Sequence, residues 1–338
     1  MSTDQRGGYP PVDPPDHARV SVVATRADDA STDMTAASPS AVVRPVLQFP
    51  DEGLPERANH VPAWFRFFFS ELRLVFGRPR NLALLGVLAV VPIFFGIVLR
   101  LTLHSGGGPG GGGNGPQFLN QLSGNGVFLA LVVLFLVETL PLLPLAIAVV
   151  TGDAIAGEAS LGTLRGLLTV PAGRTRLLAV KYAAVIVFSL ATCLLVTVLA
   201  LVMGLILFHT GPVTLLSGTT VSLGSGVLRV LAVALYTAVA MMSLGAIGMA
   251  ASTLTTHPVG AIAGLTVLTV ASEICDQLPS LSAIHAYLPT HWWLSWDGLF
   301  RSPVDLSGVG SGLVSFAAYA VIFLALAWAR LTSADVTS

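Results

Sequence analysis

The sequence predicts an all-α membrane protein with six transmembrane helices, and three observations carry that expectation. Hydrophobic residues make up 54% of the 338-residue chain and charged residues 10%, where a soluble domain carries about 25% charge. Mean hydropathy is +0.79. Six separate stretches stay apolar over the roughly 20 helical residues that a ~30 Å hydrocarbon core demands. This composition excludes an ordinary cytosolic enzyme and a disulfide-stapled secreted module. A net charge of −1 argues against nucleic acid or any other polyanionic partner. Cys193 and Cys275 both lie in apolar stretches, so neither redox chemistry nor a metal cluster is indicated.

Taken in order, residues 1–60 are rich in proline, glycine and acidic side chains without a sustained apolar period. They read as a disordered tail. The tail lacks the basic start and apolar core of a secretory signal, which places the N-terminus in the cytoplasm. Residues 61–80 predict an amphipathic helix lying flat at the inner interface. Arg66, Ser70 and Arg73 fall at i, i+4 and i+7, opposite several phenylalanines. A six-span domain follows over 81–330, with spans at about 82–103, 127–151, 181–208, 228–253, 258–275 and 311–330. The third span has no charge from Tyr182 to Phe208. Between Val230 and Ser272 the chain again carries none, over a length too great for one helix. The polar run Thr255-Thr256-His257-Pro258 divides it, because proline favours a helix start. Residues 331–338 form a short tail.

Arginine and lysine near the span ends set the orientation. Arg66, Arg73, Arg78, Arg80, Arg165, Arg174, Arg176, Lys181 and Arg330 fall on one side, against Arg100, Arg229 and Arg301 on the other. Both termini are therefore expected in the cytoplasm, with Arg100 and Arg229 snorkelling to the interface. On the outer side, Ser105–Gly115 reads as a flexible glycine-rich tether. Residues 276–310 carry apolar side chains spaced for short amphipathic helices. Trp292, Trp293 and Trp296 there suggest an aromatic belt at the membrane surface, with a substrate gate as the other reading.

Several chemistries lack their obligatory residues. A P-loop needs a lysine followed by Ser or Thr, and the one lysine, Lys181, is followed by Tyr182. No histidine pair has the HExxH spacing, and no histidine lies inside a span. Catalysis by this chain alone is not expected, and no metal site is assigned.

The loop after the second span reads Asp153-Ala-Ile155-Ala-Gly157-Glu158, then Gly162-Thr163-Leu164-Arg165, a Leu167-Leu168 pair, Pro171, and Arg174 to Lys181. Its apolar residues recur near helical spacing, which predicts an amphipathic helix on the cytoplasmic surface. Such a helix lies among lipid headgroups or docks a soluble partner. The pattern resembles the first cytoplasmic loop of type-2 ABC transporter permeases, and the likeness extends to the six-span topology.

That resemblance implies the transmembrane subunit of a split bacterial ABC exporter, multi-pass in the plasma (inner) membrane. Asp153 to Leu168 would form a coupling helix on an ATPase subunit. Its contact residues would be Asp153, Ile155, Gly157, Glu158, Gly162, Thr163, Leu164 and Arg165, with Glu158 as the polar anchor. Two ATPase subunits would bind ATP and Mg, this chain itself holding no cofactor. Two permease subunits, identical or different, would enclose a path for a hydrophobic or amphiphilic substrate such as a drug, lipid or natural product. An ion-gradient-driven transporter or channel and a non-transporting scaffold are the alternatives.

Within the spans, Glu138 is a carboxylate in an apolar helix, where an unpaired charge is expensive. It lines a translocation path or hydrogen-bonds a neighbouring span. Gly260 and Gly264 form a GxxxG pattern on the fifth span, suited to close packing within the chain or across a dimer.

Overall fold

The computed structural model describes residues 63–104, 125–160 and 174–333. The tails 1–60 and 334–338, the glycine-rich tether, and Gly162, Thr163, Leu164, Arg165, Leu168 and Pro171 lie outside them. The described chain is mostly helical and belongs to a multi-pass membrane protein. Five helices are long and apolar enough to cross a bilayer, and a bent pair makes a sixth candidate.

Helix α1 spans Ala63–Gly77 and α2 spans Pro79–His104. Gly77 and Pro79 punctuate the junction, and Asn81 Nδ2 donates to the Val75 carbonyl at 2.8 Å, satisfying an α1 end group. Phe65, Phe69, Arg66, Ser70 and Arg73 are exposed along α1, while Glu71 is buried and Phe76 meets Phe188 at 5.7 Å between ring centroids. Helix α2 leaves Leu82, Val87, Val90, Phe94 and Leu101 exposed, as a span facing lipid does.

The second span is broken. Helix α3 (Phe128–Thr139) and helix α4 (Leu142–Ser160) meet at 55°. Pro141 has no amide hydrogen to continue the ladder, and it pushes the preceding residue out of the helical region. Leu140 accordingly sits at ψ 117°. Helix α4 then runs on through Asp153 to Ser160, past the expected end at 151.

Helix α5 (Arg174–Leu207) starts seven residues before the expected span, so Arg174, Arg176 and Lys181 belong to its first turns. Between α5 and α6 the loop forms a small hairpin, β1 (Val213–Thr214) against β2 (Thr220–Val221), turned at Gly218 with φ 81°. The all-helical expectation missed it, two-residue strands being too short to show a period. Helix α6 (Leu223–Leu254) begins early because Ser222 caps it, its hydroxyl accepting from the Ser225 amide. Helix α7 (Pro258–Asp276) follows the Thr255–His257 break. A 3₁₀ turn (Pro279–Leu281), the short α8 (Ser282–His285), a 3₁₀ segment (Trp293–Phe300) and α9 (Ser307–Ser333) complete the chain.

Helix α6 is the hub, with 72% of its most apolar window buried, against 22% for α2 and α7 and 17% for α9. It packs against α4, α5 and α9. Lipid gives no hydrophobic drive between helices, so close approach has to supply the contact energy. A Cβ at Gly248 would fall onto Thr151, one at Gly245 onto Val185, and one at Gly152 onto Ile262.

Candidate functional site

One end of the bundle concentrates charge where α1, α2, α4 and α5 meet. Asp153, on α4, takes Arg78 Nη1 at 2.9 Å and also pairs with Arg80. Five residues on, Glu158 Oε1 lies 2.5 Å from Lys181 Nζ of α5, and the same ammonium reaches Glu71 of α1 at 3.5 Å. The Lys181 side chain is 3% exposed, and its partners Glu71 and Glu158 are 10% and 13% exposed. An ammonium held this far from water takes its compensation from the carboxylates beside it. The cluster therefore ties α1 to the ends of the second and third spans.

A hydroxyl from α6 grips the same turn of α4. Ser252 Oγ accepts from the Ile155 and Ala156 amides at 3.2 and 2.9 Å and donates to the Gly152 carbonyl at 2.9 Å. Ile155 and Gly157 are buried. This differs from the surface helix expected to begin at Asp153. Up to Ser160 the segment prolongs the second span, and its acids, which pattern alone puts in water, turn to Arg78, Arg80 and Lys181.

A second feature lies at the break of the second span. Glu138 is 2% exposed, and Trp296 Nε1 donates to its Oε2 at 3.3 Å. Its Oε1 is buried without a hydrogen-bond partner among the described residues. Trp293 and Trp296 are each 1% exposed, which corrects the aromatic-belt expectation for those two. The 3₁₀ segment folds into the mouth of the bundle, where an indole meets a carboxylate. Arg229 does not simply snorkel either, since its guanidinium donates to the Leu299 and Arg301 carbonyls. Tyr236 Oη adds a bond to the Trp292 carbonyl at 2.5 Å.

Residues 117–272 match the family model described as ABC-2 family transporter protein. The chain carries an ABC-2 family transporter domain. Among curated proteins none matches this chain. The ABC-2 match takes in the broken second span, the Asp153–Lys181 junction and the spans through most of α7. It supports a membrane subunit of an ABC transporter, a family that implies ABC ATPase partners.

Of the residues singled out in the ABC-2 domain, Asp153, Ile155, Gly157 and Glu158 share one stretch of α4. Glu138 stands apart, at the end of α3 just before the Pro141 break. Gly260 and Gly264 are exposed on α7, and a Cβ at Gly264 would meet nothing within 4 Å. Sequence reasoning missed Glu71 and Ser252. Glu71 is the one acid in α1, a signal that pointed to an inward partner. Nothing marks Ser252 before the fold brings it to α4. A groove of about 720 Å³ also opens beside α9, lined by Tyr287, Trp292, Val314, Tyr319 and Ile322 among others.

Proposed function

We propose that this chain is the permease subunit of an ATP-driven exporter in the bacterial inner membrane, with both termini cytoplasmic. The observation that carries the reading is the ABC-2 match across the second to fifth spans, which includes the junction where α4 is braced by ion pairs. Two copies of an ATPase subunit, holding ATP and Mg, dock on the segment from Asp153 through Arg165. Within it, Asp153 and Glu158 hold the end of the second span to α1, α2 and α5. Gly162, Thr163, Leu164 and Arg165, which follow in the sequence, complete the ATPase contact. A push on that segment is then shared by three spans at once, because Lys181 and the Arg78–Arg80 pair link them.

The substrate is hydrophobic or amphiphilic, a class supported by the apolar aromatic groove beside α9. A second permease subunit packs on the exposed small-residue face of α7 at Gly260 and Gly264. Glu138 acts as the bond that holds the break of the second span to the outer 3₁₀ segment.

Reconstitution with the ATPase tests the reading. Vesicles loaded with ATP are expected to move a lipophilic fluorescent substrate with vanadate sensitivity and without response to an uncoupler. Movement indifferent to ATP and abolished by an uncoupler contradicts it and establishes the ion-gradient alternative.

A further inference from the structure

The end of α7 opposite the ion-paired junction carries a cluster that transport coupling does not use. The N-terminus of α7 lies at the level of Gly152, whose Cβ position borders Ile262 and Pro258. Nineteen helical residues then carry the chain about 28 Å to Asp276. After Asp276 it turns back through the short outer helices and delivers His285 and His291 to the same place. One ligand atom from each of these three residues lies within 4.8 Å of the others. His291 Nδ1 is 2.5 Å from Asp276 Oδ1, and His285 Nδ1 is 3.9 Å from the same oxygen.

The far side of His285 decides what its near side offers. His285 Nε2 sits 3.1 Å from the Leu278 carbonyl. A carbonyl only accepts, so Nε2 carries the proton and a neutral His285 points the Nδ1 lone pair at Asp276. A lone pair facing a carboxylate makes no hydrogen bond, and a cation between them satisfies both. A backbone carbonyl on the outer nitrogen is also the common support of a metal-bound imidazole.

His291 is held as well. Its ring stands edge-on to Trp292 at 4.8 Å, and Trp292 Nε1 donates to the Ala286 carbonyl. The three side chains are 18% to 29% exposed, which leaves a side open for a water ligand.

We propose that Asp276, His285 and His291 form a binding site for a divalent transition-metal ion of the zinc type. Two imidazoles and one carboxylate suit zinc, with water in the fourth position. Tetrahedral ligation at about 2.0–2.2 Å sets ligand atoms roughly 3.3 Å apart. His291 and Asp276 therefore part slightly on binding, and His285 closes in. The ion fastens the end of the fifth span to the outer helices that precede the last span.

The test uses the full chain, free of any histidine tag, purified in detergent, stripped with EDTA and titrated with Zn²⁺ alone. One zinc per chain is expected by calorimetry and by elemental analysis after desalting. His285→Ala and His291→Ala are each expected to weaken binding at least tenfold, while His209→Ala leaves it unchanged. The unmutated chain gives a second readout, since zinc is expected to protect His285 and His291 from diethyl pyrocarbonate. Failure to bind zinc at 100-fold excess, equal modification of both histidines with and without zinc, or undiminished binding in the His285→Ala/His291→Ala double variant each overturns the site.

Discussion

Lys181 is the side chain on which most of the inner junction depends. It is the only lysine in the chain, and it sits between Glu158 and Glu71 almost out of water. Lys181→Met removes the ammonium that Glu71 and Glu158 share, and thermal unfolding in detergent is expected to show a loss of about 3 kcal/mol, the scale of a broken buried pair. Adding Glu71→Gln removes the acid left facing the apolar replacement and is expected to restore part of that loss. Glu138 follows a milder rule. Trp296→Phe deletes its donor and is expected to cost about 1–3 kcal/mol, whereas Glu138→Gln keeps an acceptor for the indole and is expected to stay within about 1 kcal/mol. The isolation of Glu138 in an apolar run was legible in the sequence. Its partner was not, because 158 positions separate the two residues and no local pattern records a contact made by folding.

At the scale of elements, glycine contacts divide the helices into those that must touch and those that face outward. A Cβ at Gly126 would fall onto the Gly204 carbonyl, where α3 begins against α5. Gly126→Ala is therefore expected to cost at least about 1–3 kcal/mol, since backbone rather than a side-chain tip has to yield. Gly264→Ala meets open space and is expected to leave unfolding unchanged or raise stability by up to about 1 kcal/mol. If crosslinking of detergent-extracted chains falls in that same variant, the outward face of α7 is the permease contact proposed for it. The long apolar runs and the Pro258 break made most of the helices legible. Pro141 and Pro144, which follow Glu138 in the sequence, mark a place where a helix breaks, although nothing local records the angle. What escaped the pattern was made by distant partners. Trp293 and Trp296 read as interfacial by composition but are enclosed by the bundle mouth. Asp153 and Glu158 read as water-facing because their cationic partners lie 75 and 23 positions away.

For the whole molecule, the ion pairs and the Ser252 bridge join one end of the first three spans and α6 into one connected body. The broken second span runs from that body to the Glu138–Trp296 contact, so the push proposed for the Asp153–Glu158 turn would follow a helical route interrupted only at Pro141. The most direct check is affinity purification of the chain from its native membrane, with its partners identified and its ATPase activity measured, for the wild type and for Arg165→Glu. The account predicts co-purification of a Walker-motif ATPase in equal amount with the wild type, and its loss from Arg165→Glu while that variant stays folded. A chain that purifies without any ATPase and still transports, or an Arg165→Glu variant that retains the ATPase and ATP-driven transport in full, would contradict it.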